Sequence, residues 1–231
     1  MSAERIADLG VRCGLESGDH VLEIGSGKGR LLIDLLTRWS AATAEGFDRN
    51  PWFLADARAA AMRAGVTERV SFVETDVPGA LIGDRSAALA VGIGATGILG
   101  GQRATVTGLA DAVRPGGTVV FGDGLWIREP PASGLAAFGM TRDEVADGVD
   151  AFAALGASAG LEVADVDVVS QDEWDAYEDD YAGAVERWAA SNEDDADAPA
   201  FLERAALFRS SYAEWRRDAL GFAIARFRVP A

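Results

Sequence analysis

Gly25, Gly27 and Gly29 stand at alternate positions directly after an apolar run, in the stretch His20-Val-Leu-Glu-Ile-Gly-Ser-Gly-Lys-Gly29. Glycines at that spacing let the backbone reverse sharply behind a strand, and they let a ligand approach the main chain with no Cβ in the way. A helical pattern starts near Lys28, and the first turn of a helix offers unpaired N–H groups and a partial positive charge. The combination describes a pocket for a nucleotide-like or carboxylate-bearing ligand. Arg30 occupies the position where a dinucleotide fingerprint needs its third glycine, which argues against a nicotinamide cofactor. Gly92, Gly94 and Gly97 satisfy that spacing, but they follow a later strand and no strand-ending acid stands about 20 residues on, so the match is one of chance.

Further groups recur where one ligand would need them. Glu23 lies in the first strand just before the glycine turn, Asp48 ends the second strand, Asp76 ends the third and Gly94 follows the fourth. In a doubly wound sheet, ligands sit outside the carboxyl ends of the strands, near the point where strand order reverses. An acid at the end of strand two accepts from both hydroxyls of a ribose, and one after strand three accepts from an exocyclic adenine amine. Each alone also suits a turn or a helix cap; their ordered recurrence is the signal.

The elements that must position these groups alternate. Residues 2 to 16 read as a helix, Val21 to Ile24 as strand one, and Lys28 to Trp39 as a helix with Leu31, Leu32, Leu35 and Leu36 at helical spacing. Strand two runs from Ala42 to Phe47 and ends at Asp48. Asn50-Pro51 opens a helix that stops at Gly65, and Val70 to Glu74 is strand three. Ala87 to Ile93 is a continuously apolar strand four, of the kind that suits a parallel sheet covered on both faces. A helix from Gly101 to Val113 stops at Arg114-Pro-Gly-Gly117, and Thr118 to Phe121 is strand five. A helix over Thr141 to Ala159, entered through a Thr141-x-x-Glu144 capping box, leads to strand six at Leu161 to Val169. Helices over 172–190 and 199–219, joined by an acidic linker, precede strand seven at Gly221 to Val229. This alternation predicts a doubly wound, mostly parallel α/β sheet with right-handed crossovers.

With 231 residues, 49% hydrophobic and 25% charged, the chain reads as one globular domain, 1–231, carrying a helical cap insertion over 171–219. Charged residues near the N-terminus and the lack of a long apolar run predict a cytoplasmic protein with neither leader nor membrane span. Cys13 is the sole cysteine, which excludes an internal disulfide and a thiol metal cluster; no metal site is expected. A net charge of −16 and a pI near 4.4 argue against nucleic acid and anionic membranes as partners. Residues 165–197 hold 13 acids against Arg187 alone, which is −12 of the total. That excess is either a solvated face or a field that attracts a cationic, amine-bearing substrate.

Through Val21-Leu-Glu-Ile-Gly-Ser-Gly-Lys-Gly29, Gly46-Phe-Asp48, Glu74-Thr-Asp76 and Arg114-Pro-Gly-Gly117, the chain resembles the class I S-adenosylmethionine (SAM)-dependent methyltransferases. The resemblance covers about residues 17 to 123, and the order of strands extends it to the C-terminus. It implies a seven-stranded sheet of order 3-2-1-4-5-7-6 with strand seven antiparallel. It also implies SAM as cofactor, S-adenosylhomocysteine (SAH) as product, and a cofactor set of Glu23, Gly25, Ser26, Gly27, Asp48, Arg49, Asp76, Val77 and Gly94. The nearest likeness is to bacterial small-molecule methyltransferases with a C-terminal cap containing Asp172-Glu-Trp-Asp-x-Tyr177. Where that group often has a Ser-His pair after strand four, this chain has Gly94-Ala-Thr-Gly97, which puts a histidine-assisted mechanism in doubt.

Methyl transfer from a sulfonium is an in-line displacement, so the protein's main task is to hold the nucleophile close and aligned. His20 begins strand one, at the far end of the sheet, so any general base is a carboxylate, a tyrosine or water. The connection between strands six and seven must emerge at the ligand-binding edge, as must the loop over 123–140. The catalytic candidates are therefore Asp123, Glu129 and Tyr177, and the substrate-binding candidates Trp126, Trp174, Tyr177 and Tyr181. Trp174, Tyr177 and Tyr181 share one helical face, either as packing, continued by Val185 and Trp188, or as a cation-π surface for a flat or cationic substrate. The expected activity is methylation of an N or O nucleophile on a small molecule, with an amine as the narrower expectation. The alternative is a SAM-binding protein of the same fold that does not methylate, either a cyclisation-type enzyme or a partner subunit. Acceptor identity and oligomeric state are open from sequence.

Overall fold

The computed structural model describes residues 3–76 and 86–231. Its sheet runs β3-β2-β1-β4-β5-β8-β7, with the two-residue β6 pairing β5 off that path. The strands are β1 (His20–Ile24), β2 (Thr43–Asp48), β3 (Val70–Glu74), β4 (Ala87–Ile93), β5 (Val113–Trp126), β6 (Ala146–Asp147), β7 (Glu162–Val168) and β8 (Leu220–Arg228). With β6 set aside, this is the expected order. β8 opposes β5: Gly116 N donates to Val229 O and Ile127 N to Ala219 O, so residue numbers rise on one strand as they fall on the other. Among the described residues no helix is long and apolar enough to cross a membrane.

The chain divides into two compact units. The first comprises 1–123, 152–166 and 224–231, and the second 124–151 and 167–223. In the first, α2 (Arg30–Arg38) buries Leu31, Leu32, Leu35 and Leu36, the residues the helical spacing selects, and Ile33 beside them. Arg69 crosses to its C-terminal end and donates to the carbonyls of Leu36, Trp39 and Ala42, satisfying acceptors the helix leaves open. α3 (Pro51–Ala64) starts and stops where its sequence directs. Asn50 Oδ1 accepts from Trp52 N and Phe53 N, Pro51 opens the first turn, and Gly65 closes it at φ 69°. Further along, α4 (Gln102–Ala112) buries Val106 and Leu109, and α6 (Gly148–Ser158) sends Phe152 onto Phe121 at 5.2 Å between ring centroids. Gly156 is required there: a Cβ would stand 2.3 Å from the Phe227 ring.

Two local expectations are corrected. Arg114-Pro-Gly-Gly117 does not precede strand five but bulges within it. Ala87 pairs with Val113 and Leu89 with Thr118, so four residues loop out of the ladder while pairing resumes beyond them. Pro115 has no N–H to lose, which suits it to such a bulge. Asp123 and Trp126 therefore lie in β5, not in a loop after it. Second, the Thr141–Glu144 capping box forms, but on the short 3₁₀ turn Arg142–Glu144; β6 follows, and the helix begins only at Gly148. The chain is diverted because Trp126 Nε1 takes the Arg142 carbonyl at 2.8 Å and the tail of β5 pairs Leu125 with Ala146 and Trp126 with Asp147.

The second unit is held by a helical hairpin, α7 (Gln171–Ser191) and α8 (Ala198–Ser211), the latter continuing through a π turn at Tyr212–Arg216. The π turn spans one residue more per hydrogen bond than the α-helix, i to i+5 rather than i to i+4. Trp215 packs on Trp126 and Phe138, close enough that Gly134 must lack a side chain. The Arg216 guanidinium sits 4.8 Å from the Phe208 centroid and 2.5 Å from Glu178, with both side chains about nine-tenths buried.

Two stability outcomes follow. Asn50→Ala removes the α3 cap and costs about 1 kcal/mol in urea unfolding. Glu178→Gln leaves a buried guanidinium without its counter-charge and costs about 3–5 kcal/mol, whereas Glu186→Gln, from the exposed pair with Arg209, costs less than ~1 kcal/mol.

Candidate active site

The glycine turn takes the conformation its residues permit. Gly25, Gly27 and Gly29 have φ values of 65°, 53° and 73°, a region that side-chain-bearing residues avoid. The turn is also pressed against its surroundings. A Cβ on Gly25 would meet Ala95 at 2.8 Å, one on Gly29 would meet the Phe72 ring at 2.6 Å, and one on Gly46 in β2 would meet Ser26 at 2.8 Å. Gly27 and Gly94 are different: nothing lies within 4 Å of where a Cβ would be. Those two glycines border open space.

Asp48 ties the turn to β2. Its Oδ2 accepts from Gly27 N at 2.8 Å and its Oδ1 from Asn50 N at 2.8 Å, while Thr75 N reaches its carbonyl at 3.1 Å. An ionised carboxylate has about four acceptor positions. These two bonds fix its orientation and leave capacity for a ligand. Register completes the edge: Ile24 pairs with Phe47 and with Gly92, Asp48 with Glu74, and Ile93 with Gly122. Glu23, Gly25, Ser26, Gly27, Asp48, Arg49, Asp76 and Gly94 are thereby brought to one edge of the first unit. Val77 lies outside the described residues.

Among the described residues, two atoms at this edge are buried without a hydrogen-bond partner, Glu23 Oε2 and Ser26 Oγ. Buried polar atoms in folded proteins are almost always paired. Glu23 is pushed well above the usual carboxylate range, first by burial and second by the negative charge of Asp48. Both effects favour its neutral form, which can donate as well as accept.

Asp123 is half-buried at the end of the first unit's share of β5, and Gln102, the first residue of α4, donates from Nε2 to its Oδ2 at 3.1 Å. Gln102 is 6% exposed; its only sequence signal was its place after Gly100-Gly101, at the start of the helix behind strand four. His20 opens β1, away from the carboxyl edge, with Nδ1 2.9 Å from Thr43 Oγ1. Cys13 is buried, and burial pushes its thiol up to about 11, so it is not a thiolate nucleophile.

The remaining candidates belong to the second unit. Trp126 is 2% exposed with its N–H given to Arg142 O, which makes it a core residue of that unit. Glu129 is exposed and pairs with Arg142 at 2.9 Å. Tyr177 stacks on Trp174 at 5.3 Å, and Trp174 on Phe222 at 5.4 Å. Tyr181 leans on Phe208. Burial, then the charge of Glu178, raises the Tyr177 pKa, which disfavours its phenolate. The acid of residues 165–197 is partly neutralised: Asp165 pairs with Arg12 and Arg226, Asp175 with Arg217, Glu178 with Arg216 and Glu186 with Arg209. A cavity of about 30 Å³ bordered by Glu178, Tyr181, Phe208 and Tyr212 has room for a water, not for an acceptor molecule.

Residues 21–117 match the family model of the methyltransferase domain. An uncharacterized protein of Escherichia coli strain K12, YjhP, is 29% identical over 223 residues, covering 96% of this chain and 89% of that one. The crystal structure of a SAM-dependent methyltransferase from Geobacter sulfurreducens, in complex with SAH, superposes with a TM-score of 0.86 at 28% identity, covering 98% of this chain and 91% of that one. A SAM-dependent methyltransferase from Thiobacillus denitrificans, also in complex with SAH, gives 0.84 at 28% identity with the same coverage. The strand order, the glycine turn braced by an acid on β2, and these likenesses agree: residues 21–117 match a methyltransferase domain, and the chain as a whole is similar to SAM-dependent methyltransferases.

Proposed function

We propose that this chain moves a methyl group from SAM to an N or O nucleophile of a small molecule. The observation that carries the donor half is the pair of buried, unpartnered atoms, Glu23 Oε2 and Ser26 Oγ, beside the open faces of Gly27 and Gly94. A ligand with hydroxyl and amine donors supplies what they lack, and Asp48 retains acceptor capacity for ribose hydroxyls. The residues that would hold SAM are Glu23, Gly25, Ser26, Gly27, Asp48, Arg49, Asp76 and Gly94. When bound, it supplies an electrophilic methyl on a sulfonium. The protein's own contribution is orientation: glycines that admit the ligand to the main chain, and a carboxylate fixed by two backbone N–H groups before the ligand arrives.

An amine is the narrower acceptor class. It is supported by the net acid of that stretch: residues 165–197 carry a formal −12, of which, among the described residues, at least four carboxylates meet arginines. Deprotonation of such an acceptor in water before it binds would leave no task for the sole histidine, consistent with the position of His20.

Incubation with SAM and a panel of amines, phenols and carboxylates, followed by mass spectrometry of SAH, is expected to show turnover confined to amines. Turnover of neutral or anionic acceptors alone would overturn the amine reading. By calorimetry Asp48→Ala should weaken SAH binding about 10- to 150-fold, the ~1.5–3 kcal/mol of a hydrogen bond to a charged group. The protonation state of Glu23 gives a second check. Its folded pKa lies above the unfolded value near 4.5, so the stability it contributes is complete below that pH and is lost as pH rises from there toward the folded pKa. Glu23→Gln does not titrate, and its melting temperature relative to wild type should rise between pH 4.5 and 7. A constant difference would place an ionised Glu23 in the folded protein.

A further inference from the structure

We infer that Glu23 gives up its carboxyl proton when the donor enters this site, an ammonium of the ligand taking the proton's place, so that cofactor binding releases hydrogen ion to solvent. The inference rests on the donor reading above and deepens it. Glu23 stands in a row fixed by register: it pairs with Gly46 of β2 on one side and Val91 of β4 on the other, and Gly46 pairs in turn with Phe72 of β3. Residues level with one another on neighbouring strands present their side chains to the same face. On that face Gly46 has no side chain, and Ser26 fills the place. A Cβ on Gly46 would stand 2.8 Å from Ser26 Oγ and 3.0 Å from Leu32 Cδ1. The carboxyl of Glu23 and the hydroxyl of Ser26 thus belong to adjacent columns of the sheet, one strand spacing (~4.8 Å) apart. Each residue is 7% exposed, and among the described residues Glu23 Oε2 and Ser26 Oγ have no hydrogen-bond partner.

Before the ligand arrives, an ionised Glu23 is a buried charge with neither counter-ion nor hydrogen-bond donor, which burial penalises most. The charged groups on the surrounding elements do not relieve it. Asp48 of β2 bears on it with the same sign, its own carboxylate held by Gly27 N and Asn50 N. Lys28 of the turn is taken by Asp56 of α3, Arg30 of α2 by Asp34, and Arg58 of α3 by the Phe72 carbonyl, while β4 presents Val91. Arg49, Glu74 and Asp76 are exposed. A ligand carboxylate would be repelled by Asp48, and a ribose hydroxyl or an adenine amine would leave the Glu23 proton where it is. An ammonium brings three N–H donors and a positive charge, gains from both acids and makes the ionised Glu23 the better partner. SAM and SAH each carry one, on the amino-acid end; the sulfonium has no N–H to give. The balance is one for one: the O–H bond of Glu23 breaks, its electron pair stays on oxygen, and the proton passes to water. Affinity is therefore fullest above the pKa of Glu23 in the free protein and falls as pH drops through it, by up to about ten-fold per pH unit.

Calorimetry of SAH on the full chain, repeated between about pH 5 and 8 in buffers of different ionisation enthalpy, counts the protons released per ligand and needs no acceptor. Wild type should show a maximum of about half a proton or more, the count that a one-unit change in pKa produces. Glu23→Gln should bind SAH with release below about one-tenth of a proton at every pH. The analogue of SAH in which hydrogen replaces the α-ammonium should bind wild type without release, which tests the same coupling with no change to the protein. A merely structural role for Glu23 would lower affinity in the variant and leave the proton count unchanged. No release or net uptake by wild type, release that survives in Glu23→Gln, or equal release with the des-amino analogue overturns the inference and leaves the donor reading standing. Failure of wild type to bind SAH overturns both.

Discussion

The closure of β1 against β2 through the glycine turn is the constraint on which the site depends. Ser26 N donates to Phe47 O and Gly27 N to Asp48 Oδ2, so the turn is an extension of sheet hydrogen bonding by other means. It is possible only because three residues accept positive φ and because Gly46 yields the space that Ser26 occupies. The ligand edge inherits its shape from this contact. Asp48 is aimed by it, Ser26 is buried by it, and Glu23 is left beneath it with a carboxyl that the surroundings do not pair. The arrangement is a preorganised one, since the costs of orienting the backbone and desolvating a carboxyl are met in folding rather than in binding.

The two compact units solve their polar accounting differently. In the second, charge is answered mostly from within: the buried Arg216 by Glu178 and three aromatic faces, the half-buried Asp175 by Arg217, Tyr212 and Gln171. The exceptions there are Trp174 Nε1 and Arg216 Nε. In the first unit the unanswered atoms, Glu23 Oε2 and Ser26 Oγ, stand together at the carboxyl edge of the sheet. Unsatisfied groups gathered at one edge next to glycines that face open space are the mark of a site whose partner is a ligand.

The acidic stretch shows how far formal charge differs from field. Counted along the chain, residues 165–197 form a block of near-uniform sign. Folding brings arginines from α8, the π turn, β8 and even the N-terminal helix α1 (Ala3–Arg12) against several of its carboxylates. Asp175 is held far below the usual carboxylate range, chiefly by Arg217, then Tyr212 and Gln171. The field left for a substrate is weaker than the count, and its source lies in the acids not so engaged.

What the sequence by itself determined was everything governed by local rules. Glycine spacing located the turn, Asn50-Pro51 and Gly65 bounded α3, alternating and continuous apolar runs located β1 to β4, and the strand-ending acids pointed to the ligand edge. Each of these depends on a residue's own φ/ψ preference or on periodicity, and both are written in neighbouring letters. Only the tertiary structure decided matters that depend on distant partners. Pro115 and two glycines became a bulge inside β5 because pairing with β4 resumed after them. The Thr141 cap ended a single turn because Trp126 and the tail of β5 drew the chain aside. Trp126 changed from a ligand candidate to a core residue, and Gln102 rose from an unremarked helix start to the partner of Asp123. Burial, charge pairing and the identity of a hydrogen-bond partner are set by residues tens of positions away, and no local pattern carries them.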